Sequence, residues 1–406
     1  MRILEGIRVI DWTIWQQGPV ASAMLGDLGA DVIKVEHRTS GDPGRGIMAI
    51  IGAPTEGPGS RNFYFEMNNR NKRSITLDLK TQEAKEIVYR LVEKSDIFVQ
   101  NFRKGVAEKM GLDYATLSKY NPKLIYATGT GYGRRGPESN DPSFDYLAQA
   151  RSGIMTNQAE PDLPPLVIRG GVADQMGAWC LAYGILAALV ARERLGIGQE
   201  IDGSILGAMI QFQGLGIGQY LICEEAGAGK VSRKKPFNVL WNHYQCSDGK
   251  WIALGMMQPD RYWATVCRAI GREDLATDPK FCDMASRREN SEEVVRILDG
   301  IFATKPRHEW LKIFKVAPGE VICGPVNDTD DLVDDPQVRA NEYIIDFNHP
   351  FLGTIKMPGI PVGFSKTPGS VRREAPGFGQ HTEEVLTEVL GLSQDEIGRL
   401  KDDKVI

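Results

Sequence analysis

The stretch Arg169-Gly170-Gly171-Val172-Ala173-Asp174-Gln175-Met176-Gly177 carries one carboxylate out of a glycine-softened turn and into a long apolar, proline-free run over 176–192. Such a run has the composition of a buried helix. Near its N-terminus, unpaired N–H groups and the positive end of the helix dipole favour a charged carboxylate. Asp174 is therefore expected to be ionised at neutral pH and available as a nucleophile. The same residue type at the same place also serves as an ordinary helix N-cap, a purely structural role. Two further groupings carry binding chemistry. Gln16-Gln17-Gly18-Pro19 sets two amides at the start of a helix, where they could hold a phosphate or an amide-bearing chain. Asn101-Phe102-Arg103-Lys104-Gly105, followed by Lys109, puts cations beyond the end of an apolar segment, a placement that suits phosphate or a solvated basic loop.

These residues need elements to position them. Ile7 to Asp11 has strand character, Gly18 to Leu28 helix character and Ala30 to Glu36 strand character again, a β-α-β unit with a right-handed crossover. A basic loop leads from Asn68 into a strand ending at Leu79. Helix Thr81 to Glu93 and strands Ile97 to Phe102 and Leu124 to Gly129 continue the alternation. That pattern predicts an α/β fold built on a doubly wound parallel sheet. Gly41 to Arg61 is expected as a long loop over the carboxyl ends of the strands, and Ser204 to Tyr220 as one apolar helix. From Asn242 to about Cys323 a strand and three helices form a separate small α+β lobe. Extended chain follows over Pro336 to Ser365, then two closing helices.

A chain of 406 residues exceeds the size at which one core usually divides, so two domains are expected, the smaller of them over 224–323. The net charge of −5 argues against nucleic acid as the main ligand. No Gly-x-Gly-x-x-Gly opens the first helix, which removes the main support for a dinucleotide. The six cysteines and five histidines are scattered without metal-ligand spacing, so no metal and no bound cofactor are expected. The apolar run near Trp179 to Ala191 looks too short to span a bilayer, and a cytoplasmic protein with no membrane partner is expected.

With these residues in view the chain resembles the class III CoA-transferases, the family of formyl-CoA and carnitine CoA-transferases, over nearly its whole length. The likeness rests on Leu4 to Asp11 with Gln16-x-Gly18-Pro19, on Leu28 to Glu36 followed by Gly41-Asp42, and on Asn71 to Ile75 with Leu77 to Lys80. It continues through Gly131-Tyr132-Gly133, Gly196-x-Gly198-Gln199, Cys323 to Val326 and Gly379 to Leu386. The resemblance implies that Asp174 is the nucleophile and that CoA is contacted by Gln16, Gln17, His37, Arg38, Leu77, Lys80, Asn101, Phe102, Arg103 and Lys109. It implies a Rossmann-like large domain built from 1–223 and 324–406 together, plus the smaller α+β domain, in an interlocked dimer, as a homodimer or with a homologous subunit. The substrates would be an acyl-CoA thioester and a carboxylic acid.

Two departures bear on the substrate. Some relatives carry Arg where this chain has His37. The glycine run that shields the intermediate in formyl-CoA transferase has no counterpart, Gly227-Ala228-Gly229 being a poor substitute. Gly255-Met256-Met257-Gln258 or the basic loop before Asn238 could take over that role. An acid larger than formate or oxalate is expected, and Trp12-x-x-Trp15-Gln16-Gln17 has some likeness to transferases that use succinyl-CoA to activate aryl- or alkylsuccinates. Two alternatives stand beside this one. An α-methylacyl-CoA racemase would need a histidine close to Pro142, and a non-catalytic CoA-binding subunit would not need Asp174.

Overall fold

The computed structural model describes residues 2–47, 49–50, 53–54, 62–223 and 230–406. The chain separates into two compact units, Met1–Met155 with Val167–Glu224 and Arg339–Ile406, and Thr156–Leu166 with Glu225–Val338.

The first unit is built on six parallel strands: β1 (Arg8–Trp12), β2 (Asp31–His37), β3 (Lys72–Leu77), β4 (Ile97–Gln100), β5 (Ile125–Thr130) and β6 (Gln199–Ser204), in the spatial order β3-β2-β1-β4-β5-β6. This is the doubly wound order, in which the winding reverses between β1 and β4 and leaves a crevice at their carboxyl ends. Adjacent residues of each strand point to opposite faces. Val9, Val32, Val99 and Ile125 meet helices α1 (Gln17–Asp27) and α5 (Val172–Leu195). Ile10, Ile33, Phe98 and Tyr126 meet α3 (Gln82–Glu93) and α11 (Thr382–Leu390). Helix α12 (Gln394–Asp402) closes this unit behind a capping box formed by Ser393 and Glu396.

Helix α5 has 24 residues, long and apolar enough to cross a bilayer and longer than its apolar centre suggested. Its Ala178, Leu181, Ile185 and Leu189 are instead buried on the sheet, which makes it a core helix. The expected single helix after β6 is two, α6 (Ile205–Phe212) and α7 (Gly214–Cys223), bent by 72° at Gln213. The basic stretch from Asn68 does lead into a strand, but its loop is only the turn Arg70-Asn71 between helix α2 (Phe63–Asn69) and β3, and Lys72 is wholly buried because Asp11 receives its charge. The expected long loop over 41–61 contains a short helical turn, Pro43–Arg45, and a two-residue ribbon pairing Ala49–Ile50 with Ala53–Pro54; 48, 51–52 and 55–61 lie outside the described residues. Within the stretch expected to be extended, the chain forms a hairpin, β10 (Ile344–His349) with β11 (Gly353–Pro358).

The second unit pairs β7 (Trp241–Gln245), β8 (Trp251–Gly255) and β9 (Cys323–Val326) in an antiparallel sheet, with β8 central. Helices α8 (Pro259–Ala269), α9 (Ser291–Phe302) and α10 (Arg307–Val316) pack on it through Trp263, Phe302, Trp310 and Phe314. Tyr244 stacks on Phe302 at 4.9 Å between centroids. Gly227-Ala228-Gly229 lies outside the described residues; of the other proposed shield, Met256 is buried and Met257 exposed.

Candidate active site

Helix α5 begins with Gly171 at its cap, in the left-handed conformation, and Asp174 sits in the third helical position. The capping oxygen comes from elsewhere. Oδ1 of Asp145, the first residue of α4 (Asp145–Ser152), accepts from the N–H of Ala173 at 2.7 Å and more weakly from that of Asp174 at 3.3 Å. Gln149 one turn later donates to the other Asp145 oxygen at 2.7 Å, which fixes the carboxylate. Asp174 is therefore not spent as a cap.

Asp174 is less readily ionised than its place at a helix N-terminus alone would make it. Burial first, and the neighbouring Asp145 carboxylate second, push its pKa up to about 7. A dipole of about half a charge does not offset desolvation plus a full negative charge close by. Tyr64 in α2 belongs to the same neighbourhood: burial, then Asp174, Asp42 and Asp145, hold its phenol protonated.

The loop from β1 to α1 supplies the next wall. Trp15 occupies the left-handed region at φ 66°, where residues with a Cβ are uncommon, so the loop has to be held. Lys34 donates to the Thr13 carbonyl at 2.9 Å, Asn101 brackets Ile14 by accepting from its N–H at 2.9 Å and donating to its carbonyl at 2.8 Å, and Asp42 accepts from Trp15 N–H at 3.1 Å. The clamps rest on buried ion pairs: Lys34 with Asp42 at 2.9 Å and Lys72 with Asp11 at 2.7 Å, all with fully buried side chains. Burial opposes charge on Asp11, but Lys72 and Lys34 outweigh it and hold the carboxyl below its usual range. Burial and Lys34 pull Lys72 down to about 8.

A cleft of about 740 Å³ opens at the carboxyl ends of β4 and β5. Trp15 and Phe144, edge to face at 6.0 Å, stand on one side; Asn101, Phe102 and Arg103 follow β4. Ser143, also on its wall, has its Oγ buried beside Gly131 with no hydrogen-bond partner among the described residues. Asp174 does not line this cleft; it is joined to its wall through Asp145, the neighbour of Phe144.

The other expected contacts are dispersed. Gln16 is buried with its amide against Gly171, a position whose φ of 69° favours glycine. Gln17 donates to the Gly203 carbonyl at 2.9 Å and packs under Gly129, so its amide ties α1 to the ends of β5 and β6. His37 is exposed at the end of β2, its Nδ1 within 3.0 Å of Ser40 Oγ, and Arg38 donates to the main-chain oxygen of Ile406 at 2.9 Å. Leu77 is buried, Lys80 and Lys109 are exposed, and none of these three lines the cleft. Phe102 stacks on Trp12 at 4.3 Å. Asp145, Ser143, Phe144 and Tyr64 were missed as site residues; a carboxylate in the loop after Gly131-Tyr132-Gly133 was the only available signal for Asp145.

No group of three or more metal-ligating side chains occurs among the described residues. The sequence matches CoA-transferase family III over residues 4–382. The chain belongs to that family. Relatives include the beta subunit of succinyl-CoA–L-malate CoA-transferase from Chloroflexus aurantiacus, 34% identical over 99% of this chain and 98% of the relative. The succinyl-CoA:glutarate CoA-transferase of Mus musculus is 34% identical over 98% and 89%. A CaiB/BaiF family protein from Brucella suis has the same fold, with a TM-score of 0.84 and 30% identity over 96% of this chain and 99% of that one. As a family III CoA-transferase, the enzyme acts on CoA thioesters, and the crevice at the β1–β4 switch point is where its fold places a ligand.

Proposed function

We propose that this enzyme moves CoA from an acyl-CoA to a carboxylic acid by way of Asp174. The observation that carries the reading is that Asp145 takes over the cap of α5, leaving Asp174 free, desolvated and raised to about 7. A carboxylate of that pKa is more basic than an ordinary one and still substantially ionised at neutral pH, the balance a nucleophile needs. Asp174 attacks the thioester carbonyl, and the C–S bond breaks to give a mixed anhydride and CoA thiolate. The thiolate attacks the aspartyl carbonyl, releasing the donor acid and leaving an aspartyl-CoA thioester. The acceptor carboxylate attacks that thioester to form a second anhydride, and the thiolate then takes the new acyl group and frees Asp174. Gly170 and Gly171, consecutive left-handed residues beside it, are the proposed N–H donors to the oxyanions.

Arg103 and Lys109, with His37, Arg38 and Lys80, would neutralise the CoA phosphates. Asn101 and Phe102 would shape the channel, with Gln16 and Gln17 holding the loop and helix start beside it and Leu77 acting only through the packing of β3. The named relatives that use succinyl-CoA support succinyl-CoA as donor and a dicarboxylic acid, such as an aryl- or alkylsuccinate, as acceptor. An assembly of two chains is part of the proposal. Apolar helix α7 has no buried residue, with Leu215 94% and Ile222 83% exposed, and a second copy would cover it. We place the enzyme in the cytoplasm. The test is to incubate it with succinyl-CoA, quench with hydroxylamine and read the Asp174 peptide by mass. A hydroxamate is expected, and an unmodified peptide during active turnover overturns the reading.

A further inference from the structure

A second cleft, of about 640 Å³, opens at the amino ends of β1, β2 and β3, the opposite edge of the sheet from the active site. Five arginines and three carboxylates line it, a surplus of two positive charges on a chain whose net charge is −5. Two of the arginines are neutralised: Arg8 and Arg73 share Asp31 at 2.8 and 2.7 Å, and Arg73 also reaches Glu384 and Glu388. The remaining three, Arg2, Arg372 and Arg373, have no carboxylate within ion-pair distance among the described residues. Arg372 donates only to carbonyls, that of Gly26 at 2.9 Å and that of Ser370 at 3.4 Å. The nearby Asp27 is already held by Arg70 at 2.6 Å and by Asn71 at 2.8 Å. Burial and then Arg2 hold the Arg372 pKa below its usual value, with Asp27 opposing and Arg373 adding to the shift.

This convergence is built rather than incidental. Asn71, left-handed at φ 61° and buried, accepts from the N–H groups of both Arg372 and Arg373, at 2.8 and 3.1 Å, and donates to the Ser370 carbonyl at 3.0 Å. Its own N–H donates to the Arg373 carbonyl at 3.0 Å. One buried side chain thus fixes the backbone that presents two consecutive guanidinium groups to the cleft beside Arg2. Holding like charges together opposes folding unless an anion joins them, and guanidinium forks match the oxygens of phosphate.

We propose that this cleft binds a small phosphorylated anion, a diphosphate or phosphomonoester, held by Arg2, Arg372 and Arg373 and separate from the CoA substrate. The experiment is calorimetric titration of inorganic pyrophosphate into the enzyme at low salt with CoA saturating, so that phosphate sites in the active-site crevice are filled. One saturable site per chain is expected. Arg372→Gln with Arg373→Gln should weaken it at least about tenfold while acyl transfer continues, since neither residue touches the active site. Arg2→Gln removes an exposed side chain that no hydrogen bond ties to the other described residues; it should weaken binding about threefold or more even if the double variant folds poorly. Absence of a saturable site, unchanged affinity in Arg2→Gln, or tighter binding of citrate than of pyrophosphate would overturn the assignment.

Discussion

Replacing Asp145 by Asn should move the pH dependence of catalysis without removing the nucleophile. In the wild type, kcat/KM should rise through an ionisation near 7, the pKa to which burial and Asp145 raise Asp174. Asp145 Oδ1 lies 3.3 Å from the Asp174 amide nitrogen, which puts the two carboxylates on the order of 6 Å apart. Unit charges at that separation repel by about 0.7 kcal/mol at the dielectric of water and about 3 kcal/mol at an effective value near 20. Neutralising Asp145 should therefore lower the midpoint by about 0.5 to 2 units. Asparagine keeps one oxygen to cap Ala173, but its NH₂ then faces the Gln149 donor, a loss of about 1 kcal/mol of stability. The assay is initial-rate acyl transfer from pH 5 to 9 at subsaturating donor. The CoA 3′-phosphate itself titrates near 6, and a limb due to the substrate stays put in the variant, whereas a limb due to Asp174 moves. Identical limbs in the two proteins, or a flat profile between pH 6 and 8, would refute the argument.

Asp174→Asn should keep the fold and CoA binding and lose turnover by about 10⁴ or more, measured by product formation under substrate saturation. The same variant should be more stable than wild type at pH 8. The pKa of Asp174 is raised on folding, so its contribution to stability is full below the ordinary aspartate value and is lost as pH rises through about 7. Urea melts should show an advantage of up to about 4 kcal/mol at pH 8 that vanishes toward pH 4. Arg103→Ala should raise the KM for the CoA donor with a smaller change in kcat; an effect confined to the acceptor acid would place Arg103 elsewhere. Lys72→Met should destabilise by about 3–5 kcal/mol in denaturant titration, because Asp11 would stay buried without its partner. Exchange of the α-hydrogen of a 2-methylacyl-CoA in deuterated water should be negligible, since Pro142 cannot accept a proton; exchange as fast as acyl transfer would favour the racemase alternative.

The parallel sheet was legible because its signal is local: Val9-Ile10 and Val32-Ile33 are short apolar runs separated by a helix-length segment, and strand and helix periods differ. The break at Gln213 was not, since either half of the apolar stretch continues the same composition. Resemblance located Asp174, yet its charge state could not be read from its own surroundings in the sequence. The helix start that should favour ionisation is local, whereas the carboxylate that opposes it comes from 29 residues earlier. Lys72 misled for a related reason. In Asn71-Lys72-Arg73 it looks like surface, and only the return of the chain beside β2, one strand over from β1, brings Asp11 to it.

The β1–α1 loop joins these points. Its expected task, presenting Gln16 and Gln17, could be read from residue types, but nothing between Trp12 and Gln17 explains how Trp15 stays in a conformation that residues with a Cβ avoid. The restraint comes from Lys34, Asp42 and Asn101, each on or just beyond a different part of the sheet, and each takes a backbone group of the loop. Two of them form a buried ion pair, which by itself adds little to stability once desolvation is counted. Such a pair earns its place by fixing geometry: Lys34 cannot leave Thr13, nor Asp42 leave Trp15, without stranding the other charge. The loop is thereby set before substrate arrives, and the entropy of ordering it is met by folding rather than by binding.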